Sequence, residues 1–241
     1  MPRPAVDDVS LAMHAGECVG LVGASGSGKS TFASIVANLT PPDSGGVELC
    51  GREITQLKGR ARRQAYRDLQ MVFQNFGDAF NPHFTLGASV AEFGRNFGQS
   101  KAEAQRSACE AFERVGLPAY LLERMPSEVS GGQCQRAAIA RALMVRPKLL
   151  ICDEVTSALD VSVQASVVEV LRSLKGSMGI LFITHDLALL DSLCDRAVVM
   201  HDGRIVEEGP AREVTAHPKD AYTKRLISSV FTVAGPTRTS R

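Results

Sequence analysis

The chain has 241 residues, 44% hydrophobic and 22% charged, which suffices for one folding unit with a substantial core. Its formal net charge of +1 leaves no general attraction for phosphate polymers, so nucleic acid is not an expected partner. Six cysteines (Cys18, Cys50, Cys109, Cys134, Cys152, Cys194) stand singly, as in a reducing compartment; no apolar stretch nears the roughly 18–20 residues that cross a bilayer, and the start MPRPAVDD does not read as a signal peptide.

In chain order, the apolar run Cys18–Val22 predicts a buried strand. It leads into Gly23-Ala24-Ser25-Gly26-Ser27-Gly28-Lys29-Ser30-Thr31, which fits G-x-x-x-x-G-K-[ST] and opens a helix near Thr31. Glycines let successive backbone N–H groups face a phosphate, and the helix N-terminus adds partial positive charge. Lys29 is expected to bridge the β and γ phosphates of ATP, and Ser30 to ligate Mg²⁺. A short hairpin is expected around Gly45–Ile54, then a strand at Leu69–Phe73.

From about residue 75 the strand signal gives way to helical segments such as Lys101–Val115, which predicts a helical subdomain over about 75–145. The sheet core then spans about 1–74 and 146–230. Strand Leu149–Cys152 ends in Asp153 and Glu154, at the edge where ligands bind in open α/β sheets. Such a pair alone also suits helix caps or solvated loops. Beside a phosphate loop, Asp153 is expected to hold Mg²⁺ and Glu154 to polarise the attacking water. Ser162–Lys175 has the helical period, Ile180–Thr184 reads as a strand, His185–Cys194 as a short helix and Ala197–His201 as a strand; a polar tail covers 234–241. Short strands alternating with helices make the fold class α/β.

Across almost its whole length the sequence resembles ABC transporter ATP-binding subunits. Val129-Ser130-Gly131-Gly132-Gln133 is similar to the family signature LSGGQ, with Val for the usual Leu. The resemblance implies that Ser130, Gly131, Gly132 and Gln133 meet the γ-phosphate bound by an opposite subunit, a role that a helix N-terminus suits. It further implies a catalytic and Mg²⁺-sensing Gln74, a switch histidine at His185 that contacts the γ-phosphate, and, in Ser157-Ala158-Leu159-Asp160, an Asp160 that communicates across the dimer. The fold implied is a P-loop NTPase sheet domain with an inserted helical subdomain.

Gln74-Asn75 through Phe80-Asn81-Pro82, Ile151-Cys152-Asp153-Glu154 and the late His217-Pro218 with Ala221-Tyr222-Thr223 resemble the peptide and nickel importer branch. The implied partners are a second ABC ATPase subunit, identical or not, two membrane-spanning permeases and, indirectly, an extracytoplasmic solute-binding protein. The implied place is the cytoplasmic face of the cell membrane, peripherally attached. Seven of the ten phenylalanines lie between Phe73 and Phe112, either as a groove for a permease helix or as the subdomain's own core. The chain departs from the family in three ways: no aromatic precedes Phe32 to stack on adenine, the family's first strand is not found, and Val155 stands where proline commonly follows the catalytic Glu. A soluble ABC ATPase or a non-hydrolysing regulatory subunit is the alternative.

Overall fold

The computed structural model describes residues 3–74, 79–157 and 159–233. Its main sheet has six strands: β1 (Cys18–Val22), β4 (Leu69–Val72), β5 (Leu149–Asp153), β6 (Gly179–Ile183), β7 (Arg196–His201) and β8 (Arg204–Pro210), in the order β4-β5-β6-β1-β7-β8. All neighbours are parallel except β7 and β8. The hairpin β2 (Glu48–Leu49) and β3 (Arg52–Glu53) forms as expected. Cys50 and Gly51 make its turn with φ of 51° and 77°, the two left-handed positions that match the twist of tightly joined strands.

Helices cover both faces: α1 (Lys29–Val36), α2 (Gly59–Asp68), α3 (Leu86–Asn96), α4 (Lys101–Arg114), α5 (Gly131–Leu143), α6 (Val161–Leu174), α7 (Leu187–Leu193), α8 (Ala211–Ala216) and α9 (Ala221–Val233). Because strand side chains alternate, Val19, Leu21, Ile151, Leu181, Ile183 and Val198 join Phe32 and Ala33 of α1 in one core. Val22, Val72, Leu150, Ile180, Phe182 and Val199 point the other way, into a core shared with α3 to α7. The helical stretch after β4 is thus packed on the sheet: Phe80 and Phe112 are buried, whereas Phe73 and Phe84 are about half exposed. The reading as the subdomain's own core therefore holds for Phe80 and Phe112, while Phe73 and Phe84 stay outside it. Asn75, Phe76, Ala158 and the tail from 234 lie outside the described residues.

The N-terminal end of β1 is tied down by charge. Asp195 accepts the Cys18 N–H at 2.9 Å and Lys175 Nζ at 2.8 Å. Arg196 Nε donates to Glu17 at 2.7 Å, and its other nitrogens reach Glu208 and the Ala12 carbonyl. Residues 3–17 carry no strand, in keeping with the missing first strand of the sequence pattern.

Strand β1 also requires close packing. A Cβ at Gly20 would overlap Leu190 Cδ2 and come within 2.9 Å of Cys194 Sγ, so α7 sits directly on the backbone there. Gly20→Ala is expected to destabilise the chain by about 1–3 kcal/mol, the cost of overpacking, in a urea titration. An unchanged midpoint would show that α7 is free to shift.

Candidate functional site

The C-terminal ends of β1, β4, β5 and β6 come together at one edge of the sheet. After β1, residues 23–28 curl and α1 starts at Lys29. Gly28 occupies its N-cap with φ 103° and offers no side-chain cap, so the first-turn N–H groups are left for an external acceptor. Two close approaches fix the curl: a Cβ at Gly28 would overlap the Ala5 carbonyl, and one at Gly23 would overlap the Met200 carbonyl. Ser27 O accepts the Gly203 N–H at 3.0 Å, which docks the loop on the turn after β7.

Lys29 is buried, and its Nζ donates to the carbonyls of Gly23 at 2.8 Å and Ala24 at 2.9 Å. Burial lowers its pKa, against the pull of Glu154 and Asp153. An ammonium spent on two carbonyls, at a helix start without a cap, is arranged to turn toward an anion.

Asp153 ends β5. Ser30 Oγ donates to its Oδ1 across 3.4 Å, so the two oxygens expected to ligate Mg²⁺ are adjacent. Burial raises the Asp153 pKa; the Ser30 hydrogen bond lowers it, Glu154 raises it and Lys29 lowers it, with a net rise. A half-desolvated carboxylate beside a hydroxyl suits a cation that keeps several waters and completes its shell with phosphate oxygens.

Glu154 follows with φ 48°, a left-handed conformation rare for a side chain of this kind. Its N–H bonds Ile183 O at 3.0 Å, and the turn aims its carboxylate along the edge. Gln74 Nε2, two residues beyond β4, donates to Glu154 Oε2 at 3.2 Å and to Ser157 Oγ at 3.1 Å. His185 Nδ1, after β6, lies 3.8 Å from the same Oε2. Three strand ends thus bring together Gln74, Glu154 and His185. Val155, where proline was expected, is buried in the core, so the departure costs no packing.

Ser130 opens α5 with a capping box: its Oγ accepts the Gln133 N–H at 3.3 Å, while Gln133 Oε1 accepts the Ser130 N–H at 2.9 Å. A Cβ at Gly132 would overlap Val163 Cγ1 of α6. Among the described residues, no hydrogen bond links 130–133 to residues 23–31. Asp160 stands at the N-cap of α6, yet its carboxylate makes no cap bond and is exposed. Ser157 belongs to the same motif as Asp160, and the resemblance gives it no part. Its Oγ donates to Glu154 O at 2.9 Å, and its place three residues after Glu154 is the signal that could have flagged it.

An open parallel sheet with a phosphate loop at its edge and paired acids on a neighbouring strand defines a P-loop nucleoside triphosphatase. The ABC transporter family profile matches residues 6–157. The oligopeptide transport ATP-binding protein OppF of Lactococcus lactis subsp. lactis (strain IL1403) is 43% identical over 94% of this chain and 72% of its own length. OppF of Escherichia coli (strain K12) is 44% identical over 94% of this chain and 69% of its length. Among solved structures, the ATP-binding cassette MJ0796, a dimer bound to ADP and Pi after hydrolysis, superposes with a TM-score of 0.77 at 29% identity, covering 86% of this chain and 91% of that one. The cbiO1 protein of Clostridium perfringens, part of the ABC transporter complex cbiONQ, gives 0.81 at 25% identity over 95% of this chain and 88% of its own. The chain belongs to the ABC transporter family, in which it is an ATP-binding subunit that hydrolyses ATP. The alternative of a non-hydrolysing or soluble ABC protein is not favoured. No helix among the described residues is long and apolar enough to cross a membrane.

Proposed function

We propose that this chain is one of two ATPase subunits that dock beneath two membrane-spanning permeases and drive uptake of oligopeptides delivered by an extracytoplasmic binding protein. The observation that carries the catalytic part is the convergence of Gln74, Glu154 and His185 beside the loop that holds Lys29. The peptide cargo is supported by the names of the relatives, which match 94% of the chain. The exposed rings of Phe84, on the helical stretch 75–145 that we read as a subdomain hung on the sheet, and of Phe73 just before it support a permease contact there. That docking would place the chain at the cytoplasmic face of the membrane.

In this reading Gly23, Ala24, Ser25, Gly26, Ser27, Gly28 and Thr31 cradle the phosphates, and Lys29 leaves its two carbonyls to neutralise them. Ser30 and Asp153 hold Mg²⁺, with Gln74 at its edge; bound Mg²⁺ supplies charge neutralisation to the phosphate oxygens. Glu154 takes the proton of the attacking water, Gln74 and His185 keep its carboxylate in line, and Ser130, Gly131, Gly132, Gln133 and Asp160 act on the site of the opposite subunit. Each site is then complete only in the dimer.

Lys29→Ala, assayed for MgATP hydrolysis alone and co-expressed with the genomic neighbours, is expected to lose about 10²–10³-fold in turnover, the scale of removing one charge-stabilising group. Wild-type turnover in Lys29→Ala would sink the proposed site. Stimulation by the neighbours in the wild type alone identifies the permeases.

A further inference from the structure

Beyond the residues that face the nucleotide, one side chain reaches the phosphate loop from the far end of the chain. Tyr222, in the first turn of α9, accepts the Ala24 N–H on its hydroxyl at 2.8 Å. The Gly23 carbonyl belongs to the same peptide group as the Ala24 N–H, and that carbonyl accepts Lys29 Nζ at 2.8 Å. One rigid plane is therefore held at its N–H by Tyr222 and at its oxygen by Lys29. Hydrogen bonds made through one peptide group polarise each other, so the phenol strengthens the grip on the ammonium as well as fixing its direction.

Tyr222 is itself braced. Its ring stacks on His201 with centroids 3.7 Å apart and planes 16° from parallel. Asp220 Oδ1 accepts the N–H groups of Tyr222 at 2.7 Å and Thr223 at 3.3 Å, while Glu207 accepts those of Lys219 at 2.8 Å and Asp220 at 3.0 Å. The start of α9 is thus pinned to β8 and the ring to the end of β7. On its other side the same peptide is confined by the Met200 carbonyl, which leaves no room for a Cβ at Gly23.

We propose that Tyr222 is a positioning residue for Lys29: it fixes the Gly23–Ala24 peptide plane from α9 and so sets where the ammonium rests when ATP arrives. Tyr222 lies outside the residues the family profile matches. The inference rests on the part proposed for Lys29.

Tyr222→Phe keeps the ring and its stack on His201 and removes only the hydroxyl. Binding of a fluorescent ATP analogue carrying a methylanthraniloyl group to the full chain is expected to weaken by about 2- to 10-fold, the range one net hydrogen bond spans, with a melting temperature lowered by no more than about 2–4 °C. In a Lys29→Ala background the same substitution is expected to add nothing, which a packing role for the phenol would not produce. Wild-type affinity in Tyr222→Phe, or an equal loss with and without Lys29, overturns the proposal. A Lys29→Ala chain that binds the analogue normally overturns the reading of Lys29 as well, so the two failures are told apart.

Discussion

Glu154→Gln is expected to lower the hydrolysis rate by about 10²–10⁴-fold, the usual worth of a positioned base, while leaving ATP bound. The substitution is nearly isosteric and keeps the backbone at φ 48°, so the turn after β5 and the bond from its N–H to Ile183 stay in place. An amide oxygen can still accept from Gln74 Nε2, which now lies 3.2 Å from the carboxylate. What is lost is the capacity to take a proton, and with it the step that would let two subunits part. Single-turnover hydrolysis should fall, and light scattering in MgATP should report dimers that persist. Free monomers in ATP would count against a closed dimer as the state that waits for hydrolysis.

Asp153→Asn is expected to act in opposite directions on chemistry and stability. Burial raises the Asp153 pKa and outweighs the Ser30 hydrogen bond and Lys29, so the folded chain holds that proton more tightly than the unfolded one. The resulting stabilisation is fully present below the unfolded pKa and is lost as pH rises through the folded one. Near pH 7 the ionised carboxylate therefore opposes folding of the metal-free chain, much as a catalytic group commonly does. A neutral amide removes that penalty. The melting temperature without nucleotide should rise near pH 7, and the gain should vanish once the solution is acid enough to protonate Asp153 in the folded and unfolded chains alike. The further rise that MgATP gives the wild type should be lost, since Ser30 alone does not replace a carboxylate toward Mg²⁺. A melting temperature that falls near pH 7 would mean that the bond from Ser30 outweighs burial.

Much of the fold was legible because buried parallel strands are short apolar runs. β1, β4, β5, β6 and β7 lie within one or two residues of their expected positions. Strand β8 was missed because Arg204–Pro210 has no fully buried residue and its pattern does not alternate cleanly. Helix α2, with sequence GRARRQAYRD, buries only Ala65 and so shows almost no apolar face to read. The site was legible where a motif is contiguous: the loop 23–31 and the acids 153–154 need only their neighbours to be recognised. Contacts between distant segments left no such trace. Tyr222 and Ala24 are 198 positions apart, and nothing in either neighbourhood announces the other. Nor does any residue pattern foretell the positive φ of Glu154, which the packing around β5 and β6 imposes.

The ionic ties at the start of β1 have a bearing on acid. Burial alone would raise Glu17 and Asp195, but Arg196 and the His14 N–H for the first, and Lys175 and the Cys18 N–H for the second, hold both carboxyls below their ordinary range. Their contribution is present above the usual carboxylate pKa and fades as pH falls through the lowered values. β1 leaves this end riveted and runs at the other into the curled loop 23–28, on the same rim as Asp153, the buried acid that ends β5, and the left-handed Glu154. Strain and reactivity are gathered on one rim and mechanical security on its opposite, so the reactive rim can be tuned residue by residue while the strands beneath it stay anchored.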